Sequence, residues 1–322
     1  MRIPGIGIHV GTGGALVASR LSDYEIDTIF SVPGSQVLPI WDALDGGIRV
    51  VVPRSERHAA FMAEGYGQAC GFPAVLMNTL GPGVANELVG LASAKKSATP
   101  VLAVAPYQPE WKYSRIPEVF QGLDAPAFVR SVCKEARVAE SAESIAPVLD
   151  EAFRSCLASP SGPVHMEISF PTLFARSASR PGSPPSANGR KAVAEPLLVS
   201  GVPDQKAPEP WKKLGLGGKE RSLAPGMGPK YAIPFALGAK FAAMNSPVAA
   251  AVPASGLLEH LDSLATAQAW NIPVRLLCAG SPEEPLERTA EAFGIRIEKL
   301  SKEVELGSAS LRDPRALALI VV

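Results

Sequence analysis

Short apolar runs alternate with segments of helical periodicity along the first half of the sequence. The runs Pro73–Asn78 and Pro100–Val104 are too short for buried helices, and the helical segments Ala59–Ala69 and Val84–Ala94 lie beside them. Apolar strands that alternate with helices are typical of a parallel sheet covered by helices on both faces. The sequence therefore predicts an α/β domain that ends near Phe174.

Further elements of this domain follow from the same periodicities. We expect helices at residues 13–22, Val37–Leu44 and Ser144–Cys156, and strands at Asp27–Val32, Ile48–Val52 and Val164–Ile168. The alternation resumes after Pro225. There it predicts helices at Ala232–Met244, Leu257–Trp270 and Pro285–Phe293, and strands at Val248–Val252, Val274–Cys278 and Ala316–Val322.

The stretch between the two α/β regions has a different composition. Eight prolines fall between residues 181 and 225, and proline and glycine at this density oppose regular structure. We therefore expect a first domain at residues 1–175, a linker at 176–225 with a short ordered piece at Leu197–Gly201, and a smaller second domain at 226–322. Both domains are predicted as parallel sheets covered by helices.

Composition excludes several classes of protein. The 31 basic and 31 acidic residues give no net charge, which argues against binding to nucleic acid or to a membrane surface. No run of about 20 apolar residues exists that could span a membrane. The four cysteines lie far apart and are expected to be reduced cytoplasmic thiols. No metal site is predicted, since the four histidines match no ligand spacing; they are His9, His58, His165 and His260.

The segment Arg54–Gln68 carries the most informative pattern. Glu56 comes directly after a predicted strand and before a helix of small residues. Taken alone, a glutamate at this place stabilises the helix by about 0.3–1 kcal/mol through its interaction with the helix dipole, and it needs no other role. The segment also resembles the arginine–histidine–glutamate signature of the pyrimidine-binding domain in thiamine diphosphate enzymes of the acetolactate synthase and pyruvate oxidase group. Glu56 matches the glutamate of that signature, and Ser55 replaces its histidine.

Four other segments resemble the same domain in the same order. They are Ile29–Gly34, Leu80–Gly90, the pair Phe120 and Gln121, and Gly162–Ile168. Ser31 replaces a family glycine, and Gly122 stands where the family has a glutamate. Each motif is weak alone, but five in order over most of residues 12–174 are specific. The resemblance implies that the cofactor is contacted by Pro33, Gly34, Gly81, Pro82, Gly83, Asn86 and Gln121.

The resemblance also implies a role for Glu56. In the family this glutamate hydrogen-bonds a pyrimidine nitrogen of thiamine diphosphate and promotes the tautomer that serves as internal base. The protein contributes orientation and proton exchange, and the cofactor carries the carbanion chemistry.

The second domain resembles the family's diphosphate-binding domain with a defect. Gly226–Lys240 is similar to its methionine–glycine segment, which implies cofactor contacts from Gly226, Met227 and Gly228. The family's glycine–aspartate–glycine motif falls on Pro253, Ala254 and Ser255, and its paired asparagines fall on Gly280 and Ser281. Residues 248–258 contain no carboxylate, so the usual Mg²⁺ ligands are missing and Mg²⁺ binding is doubtful.

Three functions are consistent with these features. The first is a thiamine diphosphate-dependent lyase, decarboxylase or carboligase of 2-oxo acids, in which this chain supplies Glu56. It would act as a homodimer or in a hetero-oligomer with a chain whose diphosphate domain is intact. The second is a non-catalytic structural or regulatory relative, and the third is the inactive product of a decayed gene. The central domain of the longer relatives is missing here, which argues against the flavin that some of them bind.

Overall fold

The computed structural model describes residues 11–44, 46–109, 121–177, 189–200, 221–279, 288, 291–299 and 318–321. The chain divides into two units. The first comprises Met1–Ala60 and Phe72–Gly189, and the second comprises Phe61–Gly71 and Arg190–Val322. Among the described helices, none combines the length and the apolar character that crossing a bilayer requires.

The first unit contains a parallel sheet of six strands in the order β2-β1-β3-β4-β6-β5. The central strands β3, β4 and β6 are buried along their whole length, which explains their continuous apolar character. The strands are β1 (Thr28–Ser31), β2 (Arg49–Val51), β3 (Ala74–Met77), β4 (Val101–Tyr107), β5 (Glu135–Ala139) and β6 (Val164–Ser169).

The helices of this unit confirm the predicted alternation. They are α1 (Gly13–Asp23), α2 (Leu38–Trp41), α3 (Glu56–Cys70), α4 (Pro82–Lys96), α5 (Ala125–Val129) and α6 (Ala142–Leu157). Helix α3 begins in this unit, and its residues from Phe61 onward belong to the second unit. Helix α5 and strand β5 were not predicted from the sequence. Strand β5 lies at the edge of the sheet with four of its five residues half-buried, so it lacks the apolar run that identified its neighbours.

A buried ion pair joins α1 to α6. Arg20 on α1 donates from Nε and Nη2 to the two oxygens of Asp150 on α6, at 2.7 and 2.6 Å. The hydroxyl of Tyr24 donates to the same carboxylate at 2.9 Å. Burial and this hydrogen bond raise the pKa of Tyr24. The Arg20 side chain is 4% exposed, so Asp150 compensates a charge that water does not reach.

We expect Asp150→Ala to lower the free energy of unfolding by about 3–5 kcal/mol, because it removes the carboxylate that accepts two hydrogen bonds from the buried Arg20 guanidinium. Asp23→Ala is the matched control. Asp23 contacts the same arginine at 3.3 Å from an exposed position, and its loss should cost at most about 1 kcal/mol. Urea unfolding of both variants checks this, and equal losses would show that Arg20 is satisfied without Asp150.

The second unit contains another six-stranded parallel sheet, in the order β11-β12-β10-β9-β7-β8. Its strands are β7 (Leu197–Val199), β8 (Arg221–Leu223), β9 (Val248–Pro253), β10 (Arg275–Ala279), β11 (Arg296–Lys299) and β12 (Ala318–Val321). Numbered by appearance within each unit, both sheets follow the same order, 2-1-3-4-6-5. The sequence shows the shared rhythm of the two halves but not this identity of topology.

The helices of the second unit are α7 (Ala232–Ala242), α8 (Ala254–Glu259) and α9 (Leu261–Ala269). The predicted helix Leu257–Trp270 is interrupted, because His260 leaves the helical region with φ −125° and ψ 36°. The predicted helix Pro285–Phe293 lies mostly outside the described residues.

The stretch predicted as a linker differs from the expectation. Strands β7 and β8 fall inside residues 176–225, and both belong to the second sheet. The predicted ordered piece at Leu197–Gly201 overlaps β7. Each strand has three residues, too few to show a periodic pattern among the surrounding prolines. The residues of β7 are nevertheless fully buried.

Helices α3 and α7 pack within the second unit through glycines. A Cβ added at Gly238 on α7 would lie 2.5 Å from Cα of Met62 and closer still to its carbonyl oxygen. A Cβ at Gly65 on α3 would lie 2.8 Å from the carbonyl carbon of Phe235. Next to this contact, Phe61 stacks on Tyr231 with ring centroids 4.0 Å apart. Two glycines therefore let the helix backbones meet directly.

Lys240 on α7 is buried without a carboxylate partner among the described residues. Its Nζ donates to the carbonyl oxygens of Met244 and Ser246 at 2.9 and 2.7 Å, just beyond the end of the helix. Burial, with a smaller contribution from the charge of Arg275, lowers its pKa to about 8.

This lowered pKa predicts a stability that rises with pH. Between pH 8 and 10 the unfolded chain holds the Lys240 proton more firmly than the folded chain does. The free energy of unfolding should therefore increase by about 2 kcal/mol relative to Lys240→Met over that range. Denaturant unfolding of both proteins at several pH values measures the difference. A constant difference would show that Lys240 keeps its ordinary pKa.

Candidate functional site

The predicted site residues of the first unit lie at one edge of its sheet. The chain runs from β1 to β2 on one side and returns to β3 on the other, so the strand order reverses between β1 and β3. In parallel α/β sheets, ligands bind at the carboxyl ends of the strands at such a reversal. The segments that follow β1, β2 and β3 all begin at this edge, and they contain Gly34, Glu56 and Gly81.

Glu56 is the first residue of α3 and is half-buried. Its Oε2 accepts a hydrogen bond from Nδ2 of Asn86 on α4, at 3.1 Å. Its Oε1 has no hydrogen bond within the described ranges. Gly83 lies next to this oxygen, and a Cβ atom at position 83 would be 3.8 Å from it. One carboxylate oxygen is thus held in place, and the other is available to a ligand. The structure brings together three predicted site residues here, Glu56, Gly83 and Asn86.

A second group of predicted residues surrounds the loop after β3. Gly81 has φ +68°, and a Cβ there would lie 2.5 Å from the carbonyl oxygen of Gln121. Only glycine combines this left-handed backbone with so close an approach. The predicted residues Gly81 and Gln121 are therefore in contact, and Gly34 packs against the side chain of Thr79.

Two polar residues that the sequence analysis missed connect this group. The Thr79 hydroxyl donates to Oε1 of Gln36 at 2.6 Å, and Nε2 of Gln36 lies 3.4 Å from Oε1 of Gln121. Their signal in the sequence is position, because both are polar and both follow a buried strand closely. Of the remaining predictions in this unit, Pro82 is the first residue of α4, and Pro33 is exposed in the segment after β1.

Asn78 ties the ends of β1 and β3 to α4. Its Oδ1 accepts from the backbone N–H of Val32 at 3.1 Å, and its Nδ2 donates to Oε2 of Glu87 at 2.8 Å. Burial raises the pKa of the Glu87 carboxyl, although His165 and Asn78 act in the opposite direction. Neither the periodicity nor a local motif of the sequence indicates this buried network.

The predicted residues of the second domain lie in the second unit. The N–H of Gly226 donates to Oε1 of Glu64 at 3.0 Å. Met227 is 45% exposed, and Gly228 has φ +96° in the turn that leads to α7.

The positions that match the family's metal motifs are only partly described. Pro253 ends β9, and Ala254 begins α8 without a side-chain oxygen to offer a cation. Gly280 and Ser281 lie outside the described residues.

Comparison with known proteins finds relatives for the part of the chain that contains Glu56. Residues 11–128 match the family described as "Thiamine pyrophosphate enzyme, N-terminal TPP binding domain". Over these residues the chain resembles the N-terminal domain of thiamine pyrophosphate enzymes. The matched residues include Glu56 and the loops after β1 and β3. Thiamine diphosphate, the same compound as thiamine pyrophosphate, is therefore the cofactor implied by the family.

Several acetolactate synthases are similar to about half of this chain. It is 31% identical over 173 residues to a probable acetolactate synthase of Mycobacterium bovis, which is 53% of this chain and 31% of the relative. The mitochondrial acetolactate synthase catalytic subunit of Saccharomyces cerevisiae is 31% identical over 159 residues, 49% of this chain and 23% of its own. Bacillus subtilis acetolactate synthase is 32% identical over 160 residues, which cover 49% of this chain and 27% of the relative. The chain spans less than a third of the length of these relatives.

Proposed function

We propose that this chain is an acetolactate synthase-like subunit of a thiamine diphosphate-dependent enzyme acting on 2-oxo acids, and that Glu56 is its activating residue. One observation carries the proposal. Glu56 presents a carboxylate with one oxygen fixed by Asn86 and the other without a hydrogen bond in the described structure, at the strand-order reversal of a parallel sheet. The substrate class follows from the names of the relatives, which are acetolactate synthases.

The residues around Glu56 fit the pyrimidine end of the cofactor. Thiamine diphosphate supplies the carbanion chemistry when it is bound. Glu56 would accept or donate a proton at Oε1, and Asn86 would keep the carboxylate aimed while that proton moves. Gly83 leaves space in front of the oxygen. Gly34, Gly81 and Gln121 would contribute the neighbouring wall.

The residues for the diphosphate end fit less well. The turn at Gly226–Gly228 would offer backbone N–H groups, of which that of Gly226 already donates to Glu64. Ala254 has no oxygen ligand, and residues 248–258 contain no carboxylate. Mg²⁺ prefers several carboxylate or carbonyl oxygens with waters. We therefore propose that a second chain with an intact metal site completes the enzyme.

The same absence of ligands favours a second candidate function. A relative that kept the fold as a structural or regulatory subunit has no need of Mg²⁺ ligands. The two candidates differ in whether Glu56 contributes to cofactor binding in the assembled complex.

Calorimetric titration of thiamine diphosphate, with and without Mg²⁺, tests the proposal. We expect the isolated chain to bind at least about tenfold more weakly than its complex with a chain of intact metal site, because backbone N–H groups alone must balance the diphosphate charge. In that complex, Glu56→Ala should weaken binding. Tight, Mg²⁺-dependent binding by the isolated chain would contradict the need for a second chain. Binding by the complex that is indifferent to Glu56 would favour the non-catalytic role.

A further inference from the structure

We propose that Glu87 is a positioning residue for Glu56. Glu87 is anchored in the core between Asn78 and His165, and this anchor sets the part of α4 from which Asn86 reaches the Glu56 carboxylate. The effect on catalysis rests on the function proposed above, whereas the anchoring itself belongs to the protein without cofactor.

The anchor is a buried polar chain across three elements. Glu87 is 1% exposed, and Asn78 and His165 are fully buried. Nδ2 of Asn78 donates to Oε2 of Glu87 at 2.8 Å, while Oε1 of Glu87 lies 3.7 Å from Nδ1 of His165 on β6. Neither this oxygen nor either nitrogen of His165 has a hydrogen bond in the described structure. A shift of a few tenths of an ångström would let one proton lie between Glu87 and His165.

Stability alone gives no reason for this chain of groups. Replacing a buried polar network by apolar residues of similar volume is often neutral or stabilising. A leucine at position 87 would be buried in the same place without the cost of desolvating a carboxyl. What the carboxyl adds is direction, because its hydrogen bond to Asn78 fixes the rotation of α4 about its axis.

The rotation of α4 affects the site through Asn86, the residue before Glu87. Asn86 and Glu87 are consecutive on α4, so their side chains point about 100° apart. Glu87 points into the core, and the exposed Asn86 donates to Glu56. The raised pKa of Glu87 comes mainly from burial, and the charge of Glu56 acts in the same direction. Among the titratable groups near Glu87 are His165 and the Cys133 thiol, whose pKa burial and the Glu87 charge raise.

The first experiment uses the cofactor-free protein. The Nδ2 protons of Asn86, followed by NMR, report its bond to Glu56, and Glu56→Ala gives their signal when that bond is broken. Glu87→Leu should move the signal to the Glu56→Ala position. Glu87→Gln, which can still accept from Asn78 and donate to His165, should leave it near the wild-type position. Leu91→Ala, at another buried position of α4, controls for a general loosening of the helix and should not move it.

The second experiment measures C2–H exchange of thiamine diphosphate in the assembled complex. Glu87→Leu should slow exchange about tenfold, since small misplacements of a catalytic group have effects of this size. In an Asn86→Ala background Glu87→Leu should have no further effect, because it acts through Asn86. Wild-type protein without exchange would refute the proposed function and leave the NMR result to decide the anchoring.

Three results would overturn the positioning role. They are an unchanged Asn86 signal in Glu87→Leu, an equal loss in Glu87→Gln, and additive effects of the Asn86 and Glu87 substitutions on exchange. If Glu87→Leu does not fold, Asn78→Leu replaces it, since it removes the hydrogen-bond partner of Glu87. It should then change the Asn86 signal and the exchange rate as expected for Glu87→Leu.

Discussion

Glu56→Gln should slow C2–H exchange of bound thiamine diphosphate by about 10²–10⁴-fold in the assembled complex while leaving the fold intact. A positioned acid–base group is typically worth this factor, which corresponds to about 3–5 kcal/mol of barrier. The amide keeps the size of the side chain and one acceptor oxygen for Asn86, but it cannot exchange the proton. Unfolding should change by at most about 1 kcal/mol, the value of a charge at a helix start.

Glu143→Gln is the matched control for this substitution. Glu143 is an exposed acidic residue in the first turn of α6, so its loss removes the same kind of helix-dipole interaction away from the site. Both variants should show similar small changes in thermal stability, and Glu56→Gln alone should lose exchange. Exchange at the wild-type rate in Glu56→Gln would contradict the proposal that Glu56 acts on the pyrimidine of the cofactor. A parallel collapse of stability and exchange would identify Glu56 as a structural residue.

Gly238→Ala should destabilise the second unit by about 3 kcal/mol, at the upper end of the usual cost of overpacking. The added methyl group would lie 2.5 Å from Cα of Met62, and backbone atoms cannot move aside as a flexible side chain can. Helices α3 and α7 would have to separate, which also strains the stacking of Phe61 on Tyr231.

Hydrogen exchange followed by mass spectrometry measures this effect by region. Peptides from α7 and from β9 should lose protection in Gly238→Ala. The control is Gly189→Ala, because a methyl group there meets no atom within 4 Å. Wild-type protection of α7 in the Gly238 variant would mean that the two helices do not meet at this glycine.

The predictability of the fold followed the burial of its elements. Strands β3 and β4 were predicted because a fully buried strand has a continuous apolar run in its sequence. Helix α4 was predicted because its buried residues recur with the helical period. Strand β5 was missed because an edge strand keeps polar residues. Strand β8 was missed, and β7 was predicted only as a short ordered piece, because three residues carry no period.

The site also has a part that could be predicted from the sequence and a part that could not. The resemblance to the family led to Glu56, Asn86 and Gly81, since these lie in contiguous motifs. The pairing of Glu87 with His165 joins residues 78 positions apart, on α4 and β6. Such a contact depends on the order of strands in the sheet, which neither periodicity nor a local motif specifies. The buried network behind the site was therefore visible only in the fold.

The repeated strand order gives every loop of one unit a counterpart in the other. Strand β9 occupies in its sheet the place that β3 occupies in the first, so the Pro253–Ser255 junction corresponds to the Asn78–Gly81 loop. Duplication of one ancestral unit would account for both halves in a single event. After such an event each copy can change its loops independently, because the sheet beneath them is specified separately. The polar loop of one copy and the ligand-poor junction of the other are then two outcomes of divergence on a common scaffold.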